Sequence, residues 1–236
     1  VFAYGVCIGT SGKYERLLSP SLRRTATGPV LERRGQRSIF VGYQSIIEEV
    51  RARYPGAEGL VLVHEDVEIR SNTFEDDLRA VLRAPDIGAV GVVGGLGPGE
   101  MFWWKRATLH GHVEHMTHAD DFSRGVHDVD VLDGLLMVLT PAAISLMSLS
   151  PGRYPGFHGY DAELCSLVRN AQMRVITADL DVFHDCKRTD WTSPELFQAQ
   201  SSGSSDGAGE VVASAGGGAS NAICLICRPD CADAER

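Results

Sequence analysis

The stretch "LVLVHEDVEI", residues 60–69, is an apolar run that ends abruptly in a histidine and two acids. Leu60 to Val63 suit a short buried strand, and His64, Glu65 and Asp66 then stand at its C-terminal end. In a parallel sheet, ligands gather beyond the C-terminal ends of the strands, so binding chemistry is expected here. Carboxylates at such a place can hold a hard divalent ion, and the ion can neutralise phosphates. They can equally cap the following loop through its backbone N–H groups, and spacing alone leaves both readings open.

Outward from this stretch, strand and helix signals alternate. "YGVCIG" near the N-terminus reads as a buried strand and then a loop, and "SGKYERLLSPSLRRTATGP" as a polar segment broken by Pro20, Gly28 and Pro29. Ile46, Ile47, Val50 and Tyr54 recur at helical spacing within residues 45–54, and Pro55 with Gly56 ends that helix. Phe74, Leu78, Val81 and Leu82 mark a second helix, with Asn72 and Glu75 as a variant capping box and Pro85 as its stop. Residues 87–93 read as a buried strand whose following glycines open a loop. Residues 94–128 form the least regular part. "LLMVLT" is a strand, and Thr140 with Pro141 resembles a helix cap and first turn. A helix over 160–170 buries Leu164, Leu167 and Val168, and "MRVITA" and "DLDVFHDC" supply the last strands, ending near His184. The alternation predicts an α/β fold with a central, mostly parallel sheet flanked by helices. The division expected is one domain over 1–198 and a Ser/Gly/Ala-rich tail over 199–236, disordered and carrying three cysteines.

Composition narrows the class. The chain has 236 residues, 44% of them hydrophobic, which is enough for a real core. Its 22 basic and 31 acidic residues leave a formal charge of -9, which argues against a nucleic-acid partner. No apolar run approaches the ~20 residues that span a bilayer, and the first residues lack the basic start of a secretion signal. A cytoplasmic protein is therefore expected, with peripheral membrane association still compatible. Oligomeric state is not legible. Cys7, Cys165 and Cys186 read as buried free thiols. Cys224, Cys227 and Cys231 include one CxxC, without the second pair or nearby histidine that a complete zinc site needs.

Four further groups invite chemistry. "HDVDVLDG" offers Asp133 and Gly134 as a wall for a hydroxyl-rich ligand, or as a solvated turn. In "PGFHGYDAELC", Asp161 falls in the first turn of a helix, where exposed N–H groups favour its ionised form and make it either a cap or a general base. Glu163 competes for the role, and His158 either binds substrate or packs. His184 matters only if the fold returns it to Asp66. The run "HGHVEHMTH", with His110, His112, His115 and His118, matches no zinc spacing and reads better as a mobile loop over a ligand. Trp103 and Trp104 in the same region either stack on a sugar or belong to the core.

Taken in order, "LVLVHEDVEI", "VDVLDGLLMVLT", "GFHGYDAELCSLVRNAQMRVI" and "DVFHD" resemble the segments of GT-A type glycosyltransferase-like domains, those related to the inverting family 2 enzymes and to StrF-type proteins of streptomycin biosynthesis. "SIFVGYQSIIEEV" resembles the helix that follows the family's nucleotide-binding region, and the likeness covers roughly residues 3–190. The resemblance implies a GT-A-like nucleotide-diphospho-sugar transferase fold, a nucleotide-diphosphate sugar donor, a hydroxyl acceptor of unknown identity, and Mn2+ or Mg2+. It implies Asp66 and His184 as metal ligands and Asp161 as the catalytic base. Ile8, Gly9 and Thr10, with His64 and Glu65, would lie by the nucleotide and cofactor. Trp103, Trp104, Asp133, Gly134 and His158 would line the substrate side. Two departures stand out: His64 replaces the first acid of the family's Asp-x-Asp motif, and Tyr160 precedes Asp161 where Glu is usual. The alternative is a non-catalytic nucleotide or glycan binding module on the same scaffold.

Overall fold

The computed structural model describes residues 1–99, 102–150 and 157–186. The boundary expected at residue 198, the tail and its three cysteines lie outside the described residues. The chain opens with β1 (Phe2–Ile8), a π-helical turn over Tyr14–Leu18, α1 (Ser19–Thr25), β2 (Val30–Arg34) and α2 (Ile39–Arg53). Next come β3 (Gly59–Val63), β4 (Val67–Ile69), α3 (Phe74–Val81), β5 (Ile87–Gly91) and β6 (Val93–Gly99). β7 (Arg106–His115), β8 (Ala119–Asp121), β9 (His127–Asp128), β10 (Val131–Leu132) and β11 (Leu136–Leu139) follow. The described chain closes with α4 (Pro141–Leu146), α5 (Tyr160–Asn170), β12 (Arg174–Thr177) and β13 (Val182–His184).

Two sheets organise these elements. The larger runs β2-β1-β3-β11-β5-β12-β9, and the smaller runs β10-β6-β7-β13-β4, with β8 added on β7. β1 pairs in parallel with β2 and β3, and β12 with β5. β11, however, is antiparallel to both β3 and β5. The sheets are therefore mixed, not mostly parallel as expected. The physical reason is the path of the chain: after β5 it passes through the smaller sheet and returns beside the ends of β3 and β5, so β11 runs back against both.

Side-chain alternation along the large sheet divides the core in two. Tyr4, Val6, Val61 and Val63 pack on one face with Tyr14, Leu18, Leu22, Phe74 and Leu78. Leu60, Leu62 and Met137 pack on the other with Phe40, Tyr43, Ile46, Ile47 and Val50 of α2 and with Leu164 and Val168 of α5. Covering both faces explains why β3 is apolar throughout.

Several local expectations change. The polar segment after β1 folds into helical turns, because Tyr14, Leu18 and Leu22, spaced by four, form a buried stripe. Pro20 is tolerated there in the first turn of α1. α2 begins at Ile39, before the predicted start. Thr140 caps α4, accepting from the Ala143 amide at 3.4 Å. At α3 the N-cap is Thr73, with no side-chain cap bond. Glu75 instead accepts from the Tyr4 hydroxyl at 3.0 Å and from the Thr27 amide at 2.9 Å. The stretch expected to be irregular forms β6, β7 and β8, whose buried positions are often Gly or His and so hide the usual apolar alternation. Cys7 and Cys165 are free, whereas Cys186 is disulfide-bonded, not the free thiol expected. Among the described residues no helix is long and apolar enough to cross a membrane.

Gly111 illustrates how tightly the β6–β7 ladder is built. Its φ is +98°, and a Cβ there would strike the Val92 carbonyl. Gly111→Ala is expected to cost at least about 2 kcal/mol, through both left-handed strain and the clash. Urea denaturation of the two proteins measures it.

Candidate active site

β3 stops at Val63 and β4 starts at Val67, so His64, Glu65 and Asp66 fill a tight connection. The His64 amide donates to the Leu135 carbonyl at 3.0 Å, which joins this connection to the turn before β11. β13 lies antiparallel to β4 with His184 opposite Val67. The Asp185 amide donates to the Asp66 carbonyl at 2.8 Å. The same ladder sets His184 Nε2 3.3 Å from Asp66 Oδ1, with both side chains almost fully buried.

His64, Asp66 and His184 each offer a ligand atom, and the three atoms lie within 4.8 Å of one another. His184 Nδ1 is buried without a hydrogen-bond partner among the described residues, while Nε2 faces the Asp66 carboxylate. Two imidazoles and a carboxylate fit a divalent cation. Burial pushes the His64 pKa down to about 4, against the pull of Asp66, so its ring is neutral near pH 7 and able to ligate. Burial also disfavours the charged form of His184, but Asp66 and Asp133 outweigh it and its pKa is raised. The Tyr160 hydroxyl donates to the Gly134 carbonyl at 2.8 Å and lies 2.6 Å from His64 Nε2. With its proton so committed, that hydroxyl accepts from His64, which assigns the proton to Nε2 and leaves Nδ1 to ligate.

Glu65 serves the neighbouring loop. It accepts from the Gly9 amide at 3.0 Å and from Ser11 Oγ at 2.8 Å. Ile8 is buried at the end of β1 and Thr10 is exposed, so Glu65 ties the expected nucleotide loop to the acidic connection. Lys13 Nζ reaches Asp66 Oδ2 at 3.3 Å and the Asp185 carbonyl at 2.6 Å. Arg24 donates to the Ile69 carbonyl at 2.8 Å.

A pocket of about 370 Å³, open to solvent, joins these groups to the rest of the expected set. His64 and His184 line it together with Asp133, Gly134, His158 and Asp161. Burial and the nearby Asp133 raise the Asp161 pKa to about 7, although the Ala162 amide donates to its Oδ1 at 2.9 Å. The helix terminus was expected to keep this acid ionised; in the fold, desolvation wins. Burial likewise raises Asp133 to about 6. Asp133 accepts from the Trp103 indole at 3.1 Å and from the Leu135 amide at 2.9 Å. Trp103 is fully buried, so of its two expected roles it takes the core one and cannot stack on a sugar. Trp104 stacks on Phe102 with ring centroids 4.5 Å apart, and it is Phe102 that reaches the pocket wall.

Sequence reading missed the roles of Tyr160, Phe102 and Phe157. Tyr160 was visible only as a departure before Asp161, and the two phenylalanines carried no pattern. Sequence reading named His115 and His118 but set a metal there aside, and it missed Asp120 as their partner. His115, His118 and Asp120 place ligand atoms within 4.8 Å of one another, in strands where a mobile loop was expected. Two His/Asp clusters could therefore chelate a divalent metal.

Comparison with known proteins places the family and the fold. The model of a glycosyltransferase-like family matches residues 27–199. The streptomycin biosynthesis protein StrF of Streptomyces griseus is 32% identical over 188 residues, which is 78% of this chain and 66% of StrF. The fold is GT-A-like. The structure of GalNAc-T7 with UDP, GalNAc and Mn2+ superposes with a TM-score of 0.58 at 9% identity, over 84% of this chain and 46% of that one. The mannosyltransferase PcManGT of Pyrobaculum calidifontis, in complex with GDP-Man and Mn2+, gives 0.56 at 10% identity, over 89% of this chain and 65% of that one. This chain thus spans about two thirds of StrF, a similar share of PcManGT and less than half of GalNAc-T7.

Tyr160→Phe keeps the ring packed against Tyr43 and Phe40 but leaves the Gly134 carbonyl and His64 without their partner. A loss of about 1–2 kcal/mol is expected in thermal unfolding. An unchanged melting temperature would show that the network contributes no stability.

Proposed function

The chain belongs to the glycosyltransferase-like family, and from that premise we propose that it transfers a sugar, with inversion, from a nucleotide-diphosphate sugar to an acceptor hydroxyl. The observation that carries this reading is one pocket shared by an ion-binding cluster, through His64 and His184, and a buried carboxyl, Asp161, of near-neutral pKa. Mn2+ or Mg2+ held by Asp66, His184 and His64 would neutralise the diphosphate and stabilise its charge as it leaves. Asp161 takes the proton of the attacking hydroxyl. A base poised near the working pH suits that task, because it is partly ionised yet basic enough to accept. Inversion by one displacement requires no enzyme nucleophile, and none is assigned. Asp133, fixed by Trp103 and the Leu135 amide, presents a carboxyl to a sugar hydroxyl and holds up the pKa of Asp161. Gly134 lets the Tyr160 hydroxyl approach closely, since a Cβ there would collide with it. Lys13, beside Asp66, brings an ammonium to the place where a diphosphate would sit.

The same lysine favours a second reading, a binding module that takes a nucleotide or glycan without turnover. An ammonium already paired with Asp66 and Asp185 competes with a cation for the carboxylate.

Calorimetric titration with UDP, GDP and TDP, with and without Mn2+, tests the donor site. One diphosphate is expected to bind only with the ion, and Asp66→Ala is expected to weaken it at least about tenfold, or ~1.4 kcal/mol. Binding by the wild type that ignores both Mn2+ and the substitution would sink the ion-dependent reading. Asp161→Asn separates the two functions. It is expected to lower kcat about 10²–10⁴-fold while leaving diphosphate affinity nearly unchanged. In the wild type, turnover should rise with pH through about 7, since Asp161 acts only after losing its proton. Full activity in Asp161→Asn would remove it as the base.

A further inference from the structure

We propose that His115, His118 and Asp120 form a second cation site, distinct from the one at Asp66, that takes a zinc-class transition ion. The hairpin between β7 and β8 builds it. The His115 amide donates to the His118 carbonyl at 2.8 Å, closing a tight turn, and Asp120 stands opposite Val113, two residues before His115. His115 and Asp120 therefore project from the same buried face of the paired strands, while Glu114, Ala119 and Asp121 point outward.

The distances suit an ion. His115 Nε2 lies 3.2 Å from Asp120 Oδ2, and His118 Nε2 lies 3.9 Å from Asp120 Oδ1. Donors bound at roughly 2.0–2.1 Å in a tetrahedron stand about 3.3 Å apart. The first separation already matches, and the second requires only a small closure. The two rings are stacked, with centroids 4.4 Å apart and planes 9° from parallel, so His118 must turn toward Asp120 to share the ion. Its side chain is the most exposed of the three, at 16%, which leaves it room to turn and leaves the ion a path from solvent.

The His115 side chain is fully buried; its Nε2 faces Asp120 at hydrogen-bond distance, and its Nδ1 has no hydrogen-bond partner among the described residues. Asp120 is buried too, with an imidazole nitrogen facing each of its oxygens, at 3.2 and 3.9 Å. A divalent ion would balance the buried carboxylate and be shared by all three groups. Two nitrogens and one oxygen, with no diphosphate to add oxygen ligands as proposed at the Asp66 site, favour a zinc-class ion over magnesium or calcium, which prefer oxygen. The site would also brace its neighbour. β7 pairs with β13 so that His115 lies beside His184, with ring centroids 5.2 Å apart, and an ion on the hairpin would stiffen the strand carrying that residue.

The test counts ions on the full-length protein. Chelator-stripped wild type, His118→Ala, Asp120→Asn, Asp66→Ala and the double variant Asp66→Ala/His118→Ala are dialysed against Zn2+, and bound metal is measured by mass spectrometry. His118→Ala and Asp120→Asn are each expected to hold one ion fewer than the wild type, and the double variant one fewer than Asp66→Ala. Zinc held by the tail cysteines is common to all five proteins and cancels in the differences. His118→Ala binding as much zinc as the wild type would overturn the proposal. So would a double variant that loses no more than Asp66→Ala alone, which would mean a single shared ion. If circular dichroism shows Asp120→Asn unfolded, the more exposed His118 decides. Retention of all zinc by Asp66→Ala would count against the donor-site reading and leave this one standing.

Discussion

β11 lies antiparallel between β3 and β5, with Leu136 opposite Val63, the last residue of β3. That register obliges the preceding turn to cross the C-terminal end of β3, where His64 begins. Asp133 and Gly134 sit in the turn, so they fall beside the acidic connection, and Gly134 meets Tyr160 from the start of α5. A parallel strand in the same slot would begin at the opposite edge and carry these residues away from the pocket. One reversed strand therefore brings the middle of the chain to a site begun by β3 and completed by α5 and β13.

The pocket then concentrates charge that the fold would otherwise avoid. Asp66, Asp133 and Asp161 are all buried. Each meets the cost differently. Asp66 is countered by Lys13 and His184. Asp133 is hydrogen-bonded by an indole and an amide, and Asp161 is held so that its proton is retained until about pH 7. Burying acids in this way gains little stability against packed apolar residues. It does produce a neutral-range base close to an ion-binding cluster, which is the division of labour a metal-assisted transfer to a hydroxyl requires.

The histidines extend the same logic beyond the pocket. His64 faces His184 at 6.1 Å, His184 faces His115 at 5.2 Å, and His115 stacks on His118 at 4.4 Å. The row exists because β4, β13, β7 and β8 are neighbours in the smaller sheet. Carboxylates flank it, Asp66 beside His184 and Asp120 beside His115 and His118, so two ion-type clusters lie along one row.

Much of this was legible in the chain itself. The apolar run from Leu60 to Val63 announces a strand buried on both faces, and the abrupt change at His64 marks where it meets ligand chemistry, because burial demands apolar side chains and the strand end does not. The helical spacing of Ile46, Ile47 and Val50, the cap at Thr140 and the place of Asp161 in the first turn of α5 follow from local rules that neighbouring residues satisfy by themselves. What local rules cannot contain is pairing. The reversal of β11, the pairing of the strands of residues 94–128 and the burial of Trp103 depend on which distant strand lies alongside. The pKa of Asp161 shows the limit most sharply. By itself, the helix N-terminus favours its charge, but burial and Asp133, supplied by another part of the chain, raise it to about 7. The sequence by itself determined which residues could do chemistry. Only the tertiary structure decided which of them share a pocket and which lose their water, since both depend on contacts between segments far apart in the chain.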